Sequence, residues 1–259
     1  MPLVSIVMPA YNCADFISAS IESVRSQTFE AWELIIVDDC STDGTASAAA
    51  QFLDDVRVKL LKNKENLGGA ASRNRAIEVA CGRYIAFLDA DDLWAPDKLA
   101  LQLAFMQANQ VGFTFTGYST TTENGAVTGT IKVPAKVSFH NLLKHNYIGC
   151  LTAIYDTEPY GKFFMPLVRK RQDFALWLEL LKKFDFAYGL QENLGFYRVR
   201  SGSLSASKVD AFKYYWLVLR RVGGCNVFSA GYNIAWYLFI VCLKKYKSSL
   251  YHRIFIGQS

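Results

Sequence analysis

The sequence predicts an α/β protein built on a Rossmann-like, mostly parallel central sheet with helices on both faces, followed by a C-terminal helical tail. Two observations predict the sheet: the first hundred residues repeat apolar strand, turn and helical pattern in a regular beat, and polar clusters follow three of those strands. The tail is marked by its charge. From Lys208 to Ser259 there are eight Lys/Arg against one acid, whereas the remaining 207 residues hold 20 bases against 22 acids. The formal net charge of +5 is therefore a property of the tail.

Strands are expected at Leu3 to Met8, Glu33 to Val37, Val56 to Leu61 and Tyr84 to Leu88. Helices fit between them, at about Ala14 to Gln27, Thr42 to Leu53 and Gly69 to Ala80, with Ser41, Thr42 and Asp43 offering cap chemistry before the second. A further helix fits Pro96 to Ala108. The beat then changes: Val111 to Thr122 is rich in Thr, Phe and Tyr, and Ala126 to Val133 reads as its hairpin partner across Glu123-Asn124-Gly125. A helix from Phe174 to Lys183 and a strand near Leu194 to Val199 complete the body. No internal repeat or low-complexity linker separates the halves, so 1–110 and 111–207 are expected to share one sheet, with 208–259 as the tail.

At 259 residues and 51% hydrophobic composition the chain has ample core, which excludes a disordered protein. Its six cysteines show no C-x-x-C pair and no zinc spacing with histidine, and read as buried thiols in a reducing cytosol. The N-terminus opens on a strand without the pattern of a secretory signal.

In an open parallel sheet, ligands bind beyond the carboxyl ends of the strands. Pro9-Ala-Tyr11-Asn12 follows the first strand, Asp38-Asp39 the second, and Asp89-Ala-Asp91-Asp92 the fourth, so three polar clusters converge on one edge. Three carboxylates within four residues repel one another unless a cation joins them, and hard oxygen ligands favour Mg²⁺ or Mn²⁺ with phosphate oxygens completing the shell. An acidic turn capping the next helix is the plainer alternative. Tyr11 offers a ring on which a base stacks, with Asn12 and Asp39 able to read its polar edge, although a tyrosine after a strand is equally ordinary surface. In Asn66-Leu-Gly68-Gly69-Ala-Ala-Ser-Arg73-Asn74 a glycine turn enters a helix bearing Arg73, and helix N–H groups with a guanidinium suit a diphosphate. A tight loop with a surface arginine explains the same residues. The stretch lacks the ending of a P-loop, and no G-x-G-x-x-G follows the first strand, which counts against a kinase or a dehydrogenase.

Taken together, Pro9-x-Tyr11-Asn12, Asp38-Asp39 with Ser41, Asp43, Gly44 and Thr45, Asn66-x-Gly68 with Arg73-Asn74, and Asp89-x-Asp91-Asp92 resemble the family 2 glycosyltransferases in identity, order and spacing, densely over residues 3 to 100. The resemblance implies the GT-A fold, a nucleoside-diphosphate-sugar donor, most readily a UDP-sugar, a divalent cation (Mn²⁺ or Mg²⁺), and inversion at the anomeric carbon. It also implies roles: Pro9, Tyr11, Asn12, Asp39, Gly69, Arg73 and Asp89 at the nucleotide, and Asp91 at the metal. Arg171-Gln172-Asp173-Phe-Ala-Leu-Trp177 is similar to the family segment that opens a helix with the catalytic base, which places that role on Asp173; Gln172 stands where relatives carry an acid. Without the family, Asp173 reads as a helix N-cap. Around Tyr197-Arg198-Val-Arg200 many relatives place a histidine where Arg200 stands, and an arginine there suits stabilisation of the departing diphosphate. The several membrane spans and Gln-x-x-Arg-Trp motif of the family's processive synthases are not found, so one transfer per encounter is expected.

Val222 to Leu243 is free of charge for 22 residues, flanked by Arg220-Arg221 and Lys244-Lys245-x-Lys247, and 12 aromatics lie between Phe212 and Phe255. About 15 strongly apolar positions fall short of a ~20-residue span. The tail therefore reads either as an interfacial helix on anionic lipid or as a helix packed on the body or in a homodimer contact. The expectation for the whole is a cytoplasmic enzyme peripheral to the inner face of the cell membrane. Its acceptor is a saccharide, most readily lipid-linked and belonging to surface polysaccharide, and no nucleic-acid partner is expected. A sugar nucleotidyltransferase would instead carry a glycine- and arginine-rich loop after the first strand. A non-catalytic sugar- or nucleotide-binding module would need neither Asp91 nor Asp173.

Overall fold

The computed structural model describes residues 2–200 and 208–256. Strands β1 (Val4–Ala10), β2 (Trp32–Asp38), β3 (Val58–Lys62) and β4 (Tyr84–Phe87) form the parallel part of the sheet, alternating with helices α1 (Ala14–Arg25), α2 (Thr45–Ala50) and α3 (Gly69–Val79). Next come β5 (Leu93–Trp94), α4 (Lys98–Asn109), the hairpin β6 (Phe113–Thr121) and β7 (Val127–Ile131), β8 (Lys136–Val137), α5 (Phe139–Lys144), β9 (Ile154–Asp156), α6 (Gln172–Leu181) and β10 (Ala187–Arg198). The tail adds α7 (Lys208–Arg221), α8 (Val227–Tyr246) and the short α9 (Ser248–Tyr251).

Among the described residues ten strands form one sheet, ordered β3-β2-β1-β4-β9-β6-β10-β5, with β7 on β6 and β8 on β10. The longest ladders, β1 on β2 and β6 on β10, are parallel, and the joints on either side of β9 are short and antiparallel. The two halves thus share a continuous sheet, as the missing linker predicts. Strand β5, from the first half, even crosses to pair with β10 in the second.

A buried parallel strand sends successive side chains to opposite faces, each of which must be covered. In β1 and β2, Val7, Ile35 and Val37 join the core under α3 and α6, whereas Ile6, Met8, Leu34 and Ile36 join the core under α1 and α4. Trp177 of α6 lies edge-on to Phe87 of β4 at 5.4 Å between ring centres. That contact holds the start of α6 beside the end of β4.

Several expected boundaries move. Strand β3 starts at Val58, not Val56, because Asp55 accepts from the Arg57 backbone N–H in a turn that leaves Val56 exposed. Helix α2 shortens to six residues and is entered through Gly44, while Asp43 turns its carboxylate onto the Thr45 N–H and hydroxyl. Strand β10 begins at Ala187, well before Leu194. Cys13 and Cys225 are buried, but Cys81 and Cys242 are exposed, which corrects the reading of all six as interior thiols.

The tail is packed on the body rather than appended to it. Tyr215, Val218 and Leu219 of α7 and Ala230 and Ile234 of α8 belong to the same core as Trp177. Helix α8 is long and apolar enough to cross a membrane by length and composition, yet Ala230, Asn233, Ile234 and Ile240 are sunk against protein.

Lys98 at the start of α4 is fully buried, donating to Gln102 Oε1 at 2.7 Å and lying 4.3 Å from the centre of the Trp94 ring. Burial pushes its ammonium down to about 7. An unfolded chain keeps that proton to about pH 10.4, so between those values the unfolded state binds more protons and stability rises with pH. The slope approaches about 1.4 kcal/mol per pH unit over that window. Lys98→Met should flatten it: calorimetry from pH 7 to 9 should show the melting temperature of the wild type climbing more steeply than that of the variant, and parallel profiles would refute the assignment.

Candidate active site

The carboxyl ends of β1, β2 and β4 and the start of α6 open into a cleft of about 1380 Å³, large enough for a nucleotide sugar together with a second substrate. Pro9, Tyr11, Asn12, Asp39, Gly69, Arg73, Asp89, Asp91, Asp173 and Arg200 all line it. Residues read from six separate stretches of sequence therefore meet in one space.

At the β1–β2 end, Asp39 is buried and accepts from Asn63 Nδ2 at 2.7 Å, the Leu67 N–H at 2.9 Å and the Gly68 N–H at 2.7 Å. It fixes the glycine turn, and its Oδ2, with one donor so far, retains capacity for another. Asn12 takes a positive φ, and its Oδ1 accepts from the Thr42 N–H at 2.9 Å, tying the first polar loop to the second. Tyr11, half exposed, presents its ring to the cleft.

The glycines have separate tasks. Gly68 has φ +84°, which only glycine adopts without strain, and a Cβ at Gly69 would stand 2.9 Å from Arg73 Nη1. Gly69 thus leaves room for Arg73 to curl back over the first turn of α3. There its guanidinium pairs with Asp89 and donates to Gln172 Oε1 at 3.3 Å. Burial opposes the charge on Arg73, but Asp89 beside it keeps the guanidinium ionised. Gln172, read from sequence only as a lost acid, is the bridge between α3 and α6.

The acidic loop divides its work. Burial, with the charge of Asp89 second, raises the Asp91 carboxyl above its ordinary range, while Arg200 Nη1 at 3.1 Å from Oδ2 draws it back. Asp92 is buried and raised further; it accepts from the Arg198 N–H at 2.9 Å, which fastens the loop to the end of β10. Asp173 lies in the first turn of α6, not at its cap, which is Arg171 in the left-handed region. Burial raises Asp173, while the Phe174 N–H, Arg73 and Arg171 hold it down and Asp89 pushes it up.

Among the described residues no three His, Cys, Asp or Glu side chains gather closely enough to form a metal site by themselves. The donor set nevertheless suits a cation shared with a ligand: among the described residues Asp91 has one side-chain partner, Arg200 on Oδ2, Asp89 is partly exposed, and Mg²⁺ commonly takes only one or two protein carboxylates. The buried Nε atoms of Arg73 and Arg198, without partners among the described residues, are further donors at the cleft.

Sequence reasoning missed much of the far wall. Tyr118, the stretch 146–151, Leu167 to Arg169, Lys244 and Tyr251 line the cleft as well. Loops 146–151 and 167–169 carry no motif, and the sequence assigned the last two residues to a tail.

The chain matches the profile of Glycosyl transferase family 2 over residues 5–166. TuaG of Bacillus subtilis (strain 168), named as a teichuronic acid biosynthesis glycosyltransferase, is 45% identical over 223 residues, covering 85% of this chain and 88% of the relative. The UDP-Glc:alpha-D-GlcNAc-diphosphoundecaprenol beta-1,3-glucosyltransferase WfgD of Escherichia coli is 41% identical over 221 residues, covering 84% and 85%. Among solved structures, residues 1–349 of S. aureus TarS with UDP-GlcNAc align at TM-score 0.71 and 18% identity, over 96% of this chain and 74% of that one. The mannosyltransferase PcManGT of Pyrobaculum calidifontis with GDP-Man and Mn²⁺ aligns at 0.64 and 18%, over 98% and 78%. These two likenesses bear on the fold, which is GT-A as the motifs imply. The ordered strand-end motifs, the profile across more than half of its length and relatives above 40% identity make this chain a glycosyltransferase of family 2.

Proposed function

We propose that the enzyme transfers one sugar from a UDP-sugar, with inversion, to a hydroxyl of a lipid-diphosphate-linked saccharide in surface polysaccharide synthesis. One observation carries this reading: Asp173 and the acidic loop share a cleft and are joined through Arg73 and Gln172. The substrates named for WfgD support the donor and acceptor classes. On this reading residues 1–110 hold the donor, 111–207 the acceptor, and 208–259 close the acceptor side.

Tyr11 stacks the base, Asn12 and Asp39 bind its edge, and Pro9 shapes the loop beneath. Gly69, Arg73 and Asp89 hold the ribose and diphosphate. Asp173 accepts the proton of the acceptor hydroxyl as its oxygen attacks the anomeric carbon from the face opposite the leaving group. The bond from that carbon to the diphosphate oxygen breaks, and the nucleoside diphosphate leaves with the electron pair. Arg200 and the N–H groups at the start of α3 meet the charge that develops. Asp91, with Asp89, would hold Mg²⁺ or Mn²⁺, which when bound neutralises charge on the diphosphate. The raised carboxyl of Asp173 fits a base, since a stronger base takes the proton more readily. No observation favours a nucleotidyltransferase or a binding module.

The outward face of α8 supports a peripheral membrane location. Phe228, Tyr232, Phe239 and Tyr246 are exposed and spaced by about two or one helical turns along one side, with Lys245 and Lys247 at its end.

Asp173→Asn should lower kcat by about 10²- to 10⁴-fold, with UDP affinity by calorimetry within about two-fold of wild type by the same division of roles; a variant that turns over normally would sink the mechanism. Because the active form is deprotonated and the carboxyl is raised, wild-type kcat should rise with pH through a limb lying above the ordinary carboxylate value, and that limb should vanish in the variant. Asp91→Ala should abolish the dependence of turnover on added Mn²⁺ or Mg²⁺ along with most of the rate, as a metal titration of product release would record. Replacing Phe228 and Phe239 by serine should reduce co-sedimentation with phosphatidylglycerol vesicles, without changing UDP affinity; unchanged sedimentation would remove the membrane assignment.

A further inference from the structure

The cleft holds cations besides those paired with its carboxylates. Lys132, Arg169 and Lys244 line it, while its carboxylates, Asp39, Asp89, Asp91, Asp92 and Asp173, stand at strand ends and on the first turn of α6. Lys244 reaches the cleft because of its register. In α8 the body-facing positions are Ala230, Asn233, Ile234, Tyr237 and Ile240, and Lys244 lies one turn beyond Ile240 on the same side. Lys244, Lys245 and Lys247 are all exposed, and Lys244 is the one whose ammonium meets His145 and Tyr251.

The head group of Lys244 is held in place. Its Nζ lies 2.9 Å from His145 Nε2 and 4.7 Å from the centre of the Tyr251 ring, while the residue as a whole remains exposed. Burial, reinforced by Lys244 and Arg171, pushes His145 down to about 3, so the imidazole is neutral and its Nε2 accepts from the ammonium. Nδ1 then carries the ring proton, and it is buried without a partner among the described residues. An ammonium has three donors; one goes to His145 and one side rests on the Tyr251 ring, which leaves donor capacity toward the cleft. Burial also pushes Lys244 down to about 8. A lysine seated on a neutral imidazole, rather than on a carboxylate, keeps its charge uncompensated and gains from an arriving anion.

We propose that Lys244, seated on His145 and Tyr251, is the subsite for the acceptor's diphosphate, with Lys132 and Arg169 at its rim, so that the acceptor sugar extends from it toward Asp173. This rests on the lipid-diphosphate acceptor proposed above. The donor diphosphate has its own cations at Arg73 and Arg200, on the strand-end side. Lys244 therefore selects acceptors by charge rather than by sugar.

The test compares two synthetic acceptors that differ in one group, decyl-diphosphate-GlcNAc and the neutral decyl glycoside of GlcNAc, in binding by calorimetry to the full-length protein loaded with UDP. Lys244→Gln should lower the ratio of their affinities at least ten-fold by weakening the diphosphate compound, and Lys244→Arg should restore most of it. UDP affinity reports that the cleft is still folded. An unchanged ratio overturns the subsite, as does a Lys244→Gln protein that loses phosphatidylglycerol vesicles but keeps the diphosphate compound, which would make Lys244 a membrane contact. Wild-type protein that binds the diphosphate compound through Lys244 but transfers no sugar to it would leave the subsite standing and refute the proposed function instead.

Discussion

Arg73 is the charge on which the cleft depends. Asp89, Asp91, Asp92 and Asp173 converge there, and burial raises the last three. Four carboxylates drawn together without a cation would leave some protonated or push the loop apart. Arg73 pairs with Asp89, steadies Gln172 and lowers Asp173 from a position inside the protein. A guanidinium serves where an ammonium would not, because its fork reaches two elements at once and stays ionised when buried. The geometry depends in turn on glycine: a methyl group at position 69 would occupy the space into which Arg73 folds.

The donor half was legible because its function and its fold use the same signal. Strand ends in a parallel sheet are where ligands bind, so apolar periodicity located the sheet and thereby located Tyr11, Asp39 and Asp89. The acceptor half offered no such coincidence. Strand β9 has three residues and β5 has two, too few for a period to register, and both exist because neighbouring strands offer unpaired edges. Asp173 was visible only through family resemblance, since an aspartate opening a helix is explained as well by capping. Its position beside Asp89 comes from Trp177 packing on Phe87, a contact between residues 90 apart in sequence that local pattern does not encode.

Gln172 shows how a departure from a family pattern is resolved by structure. From sequence it subtracts a charge next to the base. In the fold its amide oxygen accepts from Arg73, so a hydrogen bond remains where an ion pair with a carboxylate would stand. A neutral acceptor leaves more of the positive charge of Arg73 for Asp89 and Asp173. It also adds no negative charge that would raise Asp173 further.

Helix α8 answers the question its composition poses. Twenty residues of mixed apolar and aromatic character satisfy three readings at once: a span, an interfacial helix and a core helix. What separates them is which side each residue occupies. The inward side places Ile234 in the main core and Ile240 against Tyr251 and Ile256, while the outward side exposes Phe228, Tyr232 and Phe239. With one side taken by the folded body, the helix has its other side to offer to lipid, as the proposed peripheral location requires. If the outer face rests among lipid headgroups, the inward Lys244 stands about one helix diameter above them, ~10 Å. On the proposed reading, one helix would then set both where the enzyme sits and the side of the cleft from which its acceptor enters.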